Sequence, residues 1–221
     1  SYMDMLYAGG SFGRRANPRA DYLLEAAMIA RTIPGTPVKL VWTREDDTRA
    51  GYYRPMHFHR VRASLDSDGR PLAWDHHMVG QSILSGTPFE AFMVKDGVDG
   101  TMVEGAANQP YHIPNFSLQV HNVKLPVPVL WWRSVGSTHT AFVVESMIDE
   151  LAEQTGMDPV AFRLHNTAGN PRLNNVIKEA GEHLARMQPA AGRHLGFAAH
   201  NSFFTDVAEI AEVSVDDGVI R

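Results

Sequence analysis

The chain contains no cysteine. Disulfides, zinc thiolate sites and cysteine-ligated iron–sulfur clusters are therefore excluded within it. The same absence says nothing about redox compartment, because cytoplasmic and exported proteins both dispense with the residue. No apolar run reaches the roughly 18 residues needed to span a bilayer, and no signal-peptide pattern is present. Neither sign of charge dominates. Twenty Lys and Arg are interspersed with 25 Asp and Glu for a net charge of −5, so the basic footprint of a nucleic-acid binder is missing. There is no internal repeat and no low-complexity tract. What remains is an ordinary globular composition, 44% hydrophobic over 221 residues, enough for one large domain or two small ones.

The most informative local feature is Gly9-Gly10-Ser11-Phe12-Gly13-Arg14-Arg15. Three glycines and a serine around one aromatic ring let the backbone approach something large. A helix-like segment over 19–33, stopped by Pro34-Gly35, follows at once. Its start offers unpaired N–H groups and a positive dipole end, which suits an anionic ligand. Residues 1–8 read as a strand entering this loop, and Val38 to Thr43 as another. Arg60–Leu65 and Leu72–Val79 flank Asp66-Ser67-Asp68-Gly69-Arg70-Pro71 and predict a β-hairpin.

Residues 80–114 lack periodicity and read as an irregular excursion. Phe116–Leu125 reads as a strand ended by Pro126-Val127-Pro128. The strongest helix signal covers 137–155, with Ser137 as its cap, an apolar stripe from Phe142 to Leu151 and Gly156 as its stop. Asp158-Pro159 opens a second helix as N-cap and first helical position. A third helix is expected over 172–187, and paired strands over 194–204 and 206–215. The candidate boundary is Pro189-Ala190-Ala191-Gly192, dividing 1–188 from 189–221. The fold class is α+β, mixed sheets with packed helices, since helices are too few for a doubly wound sheet. The chain opens without Met and stops just after the turn signal Asp216-Asp217-Gly218, so a fragment truncated at both ends is expected.

A second cluster, Trp131-Trp132-Arg133-Ser134-Val135-Gly136-Ser137, leads into Glu145 to Ala152 and then Gly156-Met157-Asp158-Pro159 and Phe162-Arg163. With the glycine loop, the run Pro37 to Asp46 and Tyr53-Arg54-Pro55, this order resembles the molybdenum-cofactor-binding large subunit of the xanthine oxidase/aldehyde oxidase family. It is most similar to the branch containing isoquinoline 1-oxidoreductase beta subunits and related bacterial aldehyde dehydrogenases.

The resemblance implies that Gly9, Gly10, Ser11, Phe12 and Gly13, together with Arg133, Ser134 and Gly136, lie against the molybdenum centre and its pterin. It also implies a substrate pocket near Trp132 and Val135. Val135 stands where relatives carry an aromatic residue between two glycines, so the pocket wall must be built differently. The family's catalytic glutamate motif and its glutamine-bearing cofactor loop do not occur in this sequence, and no catalytic base is assigned. Further implications are molybdopterin cytosine dinucleotide as cofactor and a separate small subunit carrying [2Fe-2S] clusters. The substrate would be an N-heteroaromatic or an aldehyde, hydroxylated with oxygen from water, with electrons passing to a downstream acceptor. A bacterial protein is implied, the periplasm being favoured over the cytoplasm.

Other residues have plainer readings. Arg133 could form a structural ion pair with Glu145 or Asp149, and Trp131 and Trp132 could simply fill core. His57 and His59 share a strand face, but no third metal ligand is evident. His76 and His77 face opposite ways. Arg44-Glu45-Asp46-Asp47 reads as a solvated turn. Two other functions stay open: a non-catalytic scaffold or subunit-interaction module, and a phosphate- or nucleotide-binding α/β protein.

Overall fold

The computed structural model describes residues 2–7 and 9–221. The chain divides into two compact units. The first comprises Ser1–Phe58, Val79–Met102 and His121–Val135. The second comprises His59–Met78, Val103–Val120 and Gly136–Arg221.

The first unit carries helices α1 (Asp21–Thr32), α2 (Arg44–Ala50) and α3 (Glu90–Met93). Its short strands β3 (Val94–Lys95) and β4 (Val98–Asp99) pair antiparallel. The expected strand at 1–8 is irregular over residues 2–7, while Ser1 and Ala8 lie outside the described residues. Val38–Thr43 is likewise unpaired. Both have strand-like composition, but a strand needs a ladder partner, and the described residues supply none. The turn expected at 44–47 is instead the start of α2. Thr43 and Asp46 form a reciprocal capping box there, satisfying two N–H groups.

α1 buries none of its residues, and Leu24, Met28 and Ile29 are exposed. Much of what is buried here is polar. The carboxylate of Asp99 accepts from the hydroxyls of Ser82 and Thr101, each at 2.6 Å, and from the Thr101 N–H at 2.8 Å.

Strands β1 (His57–Leu65), β2 (Pro71–Gly80) and β5 (Asn115–Asn122) form a sheet in the order β1-β2-β5. The expected hairpin is β1–β2, its turn closed by an Asp66 N–H bond to the Arg70 carbonyl at 2.9 Å. β5 stops at Asn122 rather than Leu125.

The second unit adds α4 (Ser137–Thr155), α5 (Pro159–Asn166) and α6 (Pro171–Leu184). It also contains the antiparallel pair β6 (His194–Ser202) and β7 (Thr205–Val213). A terminal hairpin, β8 (Val215–Asp216) with β9 (Val219–Ile220), turns on Asp217 and Gly218, both with positive φ. α4 spans the expected residues, but its N-cap is Gly136 and Ser137 makes no cap bond. Gly156 at φ 68° closes it, and Asp158 caps α5 by accepting from the N–H groups of Val160 and Ala161.

Trp74, Val144, Ile148, Leu151 and Phe162 form one apolar cluster. Val160, Leu173, Ile177 and Phe197 form another. Each such side chain contributes about 1.5–3 kcal/mol by burial. Phe142 departs from the expected stripe. It is 74% exposed, because the buried face of α4 runs through Val144, Ile148, Leu151 and Ala152.

Tying these elements is a buried ionic network. Arg163 of α5 donates through Nε to Glu145 at 2.9 Å and through a terminal nitrogen to Asp149 at 2.7 Å. Glu145 also accepts from the Tyr111 hydroxyl at 2.5 Å and the Ala199 N–H at 2.7 Å. Burial opposes the charge on Arg163, but Glu145 and its neighbours override it and hold the guanidinium charged. The carboxylates of Glu145 and Asp149 are thus taken by Arg163, where the sequence reading offered them to Arg133.

Candidate functional site

The first unit brings together two of the stretches singled out in the sequence. The glycine loop is a sequence of left-handed steps: φ is 65° at Gly9, 108° at Gly10, 50° at Phe12 and 93° at Gly13. Such angles suit glycine and strain Phe12. Ser11 is not among the positive-φ residues, which is the condition for a serine there. An Arg14 N–H bond to the Ser11 carbonyl at 2.9 Å closes a turn with positive φ at both central residues, Phe12 and Gly13.

The 131–135 segment lies directly behind this loop. A Cβ added to Gly13 would stand 2.7 Å from the Trp131 carbonyl oxygen, so only glycine permits this approach. The Trp131 indole N–H donates to the Ala16 carbonyl at 2.9 Å, fastening the loop again three residues on. The guanidinium of Arg133 stacks on the ring of Phe12, 5.8 Å from its centroid. Ser134 and Val135 then take φ of 74° and 42°, and the Val135 N–H bonds the Trp132 carbonyl at 2.8 Å. Two consecutive left-handed non-glycine residues, one of them β-branched, are costly, at about 1–3 kcal/mol each. The Trp132 indole N–H reaches the Tyr52 carbonyl at 3.0 Å. Trp131 and Trp132 are therefore half-buried braces that use their polar ends. Gly136 belongs to the second unit, where it caps α4 and its N–H faces the Glu104 carboxylate at 3.4 Å.

The front of the loop is open. Among the described residues a Cβ on Gly9 would meet nothing within 4 Å, and the nearest atoms to one on Gly10 belong to the Phe12 ring. The N–H groups of Ser11, Phe12 and Gly13 donate to no acceptor among the described residues. A loop fastened against the 131–135 segment, with three successive N–H groups lacking an acceptor among the described residues, fits an anionic cofactor.

Sequence reasoning missed Arg14. Its guanidinium bonds Asp21 at 2.8 Å and Asp47 at 3.0 Å, and lies over the rings of Trp42 and Tyr52 at 5.1 and 5.4 Å. It joins the glycine loop to the first turns of α1 and α2. Burial raises the Asp21 pKa and the Arg14 bond outweighs it, so the carboxyl is held below its usual range. The only sequence signal was its place directly after Gly13. Among the described residues, no group of three or more His, Asp or Glu is arranged to hold a metal ion. No helix of the described residues is long and apolar enough to cross a membrane.

The α+β fold is that of a molybdopterin-binding domain. The molybdopterin cofactor-binding domain family matches residues 3–167, and the chain belongs to that family, within the xanthine oxidase/aldehyde oxidase group. The chain is 33% identical over 182 residues to isoquinoline 1-oxidoreductase subunit beta of Brevundimonas diminuta, covering 81% of this chain and 23% of that protein. It is 34% identical over 171 residues to a membrane-bound aldehyde dehydrogenase [pyrroloquinoline-quinone] of Gluconacetobacter polyoxogenes, covering 74% and 22%. It thus spans less than a quarter of the length of either relative.

Two solved structures share the fold. Aldehyde oxidoreductase from Desulfovibrio gigas has a TM-score of 0.63 at 23% identity, covering 86% of this chain and 22% of that one. Quinoline 2-oxidoreductase from Pseudomonas putida 86 has a TM-score of 0.64 at 21% identity, covering 87% and 27%.

Proposed function

We propose that the chain is part of a molybdenum hydroxylase large subunit, and that its glycine loop forms one wall of the cofactor site. The observation that carries this reading is the junction of the two stretches, with Gly13 against the Trp131 carbonyl and Arg133 over Phe12. The N–H groups of Ser11 to Gly13 would hold the anionic group. Arg133 adds a fixed positive charge with planar donors beside it. When bound, the molybdenum centre supplies hydroxylation of a carbon with oxygen from water. The chain's own part is to bind and orient that centre and to present dipoles that need no reorganisation as charge develops.

In this reading, residues 1–188 form a first molybdopterin-binding region and 189–221 open a β-rich one. The cofactor is the cytosine dinucleotide form, and the substrate is an N-heteroaromatic compound or an aldehyde. Electrons leave through [2Fe-2S] clusters on a partner subunit, in the periplasm. The names of the relatives support this substrate range.

The test is metal and pterin analysis of the full-length protein expressed in a host competent for cofactor assembly. Molybdenum together with a cytosine dinucleotide supports the proposal. A protein that folds and carries neither refutes it.

A further inference from the structure

α1 has no fully buried side chain to place it. Its tie to the glycine loop is polar and runs through Arg14. The terminal nitrogens of that guanidinium donate to the two oxygens of Asp21, the first residue of α1, at 3.3 and 2.8 Å. Its Nε donates to Asp47, in the first turn of α2, at 3.0 Å. The rings of Trp42 and Tyr52 lie 5.1 and 5.4 Å from the same group.

These partners are themselves held. Both carboxylates sit where a helix dipole favours negative charge. Asp21 also accepts the Tyr22 N–H at 2.8 Å. The Trp42 indole donates to Glu25 of α1 at 2.7 Å, and the Tyr52 carbonyl accepts from the Trp132 indole at 3.0 Å.

Arg14 acts on the loop through its backbone as well. Its N–H closes the turn on the Ser11 carbonyl at 2.9 Å, and the Ala16 N–H bonds the Gly13 carbonyl at 3.0 Å. Between these bonds the chain takes the left-handed steps of Phe12 and Gly13. Such a path has no ladder to direct its N–H groups, so the anchors at its ends direct them. One anchor is the approach of Gly13 to the Trp131 carbonyl. The other is Arg14, which couples closure of the turn to the starts of two helices.

We propose that Arg14 is a positioning residue of the glycine loop, its guanidinium fixing the direction in which Ser11, Phe12 and Gly13 present their N–H groups to the cofactor. This rests on the cofactor reading and adds to it a residue that acts through the loop, since all three guanidinium nitrogens are engaged by Asp21 and Asp47. The role demands arginine. A planar fork can serve two carboxylates while lying against two rings, whereas lysine keeps the charge but has a single nitrogen to share.

The test is the rate at which the loaded full-length protein releases its molybdenum cofactor, as parent, Arg14→Lys, Asp47→Asn and Ser82→Ala. Ser82→Ala removes a buried bond to Asp99 in the same unit, outside the loop, and controls for general loosening. Arg14→Lys should release cofactor about tenfold faster than the parent, as loss of an outer support does at metal sites. Asp47→Asn should move the same way, and Ser82→Ala should stay near the parent even where urea shows it equally destabilised. A readout independent of the cofactor is hydrogen exchange in the unloaded 221-residue chain. There the amides of residues 14 and 16 should exchange about tenfold faster in Arg14→Lys. Should Arg14→Lys fail to fold, Asp47→Asn decides by itself. Equal release from parent, Arg14→Lys and Asp47→Asn overturns the proposal and leaves the cofactor reading standing, as does release from Ser82→Ala as fast as from Arg14→Lys. A folded parent without molybdenum overturns the cofactor reading, and the proposal with it.

Discussion

The guanidinium of Arg133 lies over the ring of Phe12, 5.8 Å from its centroid, although 121 positions separate them (133 − 12). Arg133 is held there by the backbone. The Trp131 carbonyl two residues before it rests on Gly13, directly after Phe12. The loop and the turn therefore behave as one piece, and disturbing either should disturb both.

Gly13→Ala puts a Cβ 2.7 Å from the Trp131 oxygen at a φ of 93°. The left-handed backbone alone costs about 1–2 kcal/mol, and the close approach adds to it. Gly9→Ala at φ 65° meets no neighbour, so it carries only the backbone cost. Urea denaturation of both variants should show the larger loss for Gly13→Ala.

Ser134 sits at φ 74° in the turn closed by the Val135 N–H. Glycine takes such angles without penalty, so Ser134→Gly should raise stability by about 0.5–1 kcal/mol, net of the entropy glycine adds to the unfolded chain. A midpoint shift to lower urea would show that the strain is not where the backbone places it.

Much of this was legible in the sequence where the signal was local. The β1–β2 hairpin, the cap at Asp158 and the stop at Gly156 each follow from a few adjacent residues. Residues 2–7 and 38–43, read as strand, are irregular because pairing is not a local property. The exposed Phe142 shows that a stripe fixes periodicity better than it fixes which edge faces the core. Arg14 was missed because one of its two carboxylate partners, Asp47, lies 33 residues along the chain.

Arg163 is fully buried between Glu145 and Asp149. Arg163→Met leaves the Glu145 carboxylate buried without its cation and should cost about 3–5 kcal/mol. Adding Glu145→Leu should recover part of that loss. The comparison is a double-mutant cycle in denaturant, and additive losses would contradict the coupling.

Acid should weaken the fold before ordinary carboxylates titrate. His76 is lowered from 6.5 to about 4, and burial also lowers His57 and His200. The neutral rings belong to the folded state, so their contribution is complete above pH 6.5 and is lost as pH falls from 6.5 through 4. Urea midpoints taken stepwise across that window should decline steadily. A flat profile down to the carboxylate range would contradict the burial of these rings.

The central claim is that the Gly9–Gly13 loop, braced by Trp131, holds the molybdenum cofactor. Its most direct test is the molybdenum content per polypeptide of the full-length protein, as parent, Gly9→Ala and Gly13→Ala, each checked for folding by circular dichroism. The account predicts a loaded parent and a Gly13→Ala variant that folds but loses most of its molybdenum, with Gly9→Ala in between. Equal molybdenum in parent and Gly13→Ala, or none in the folded parent, would contradict it.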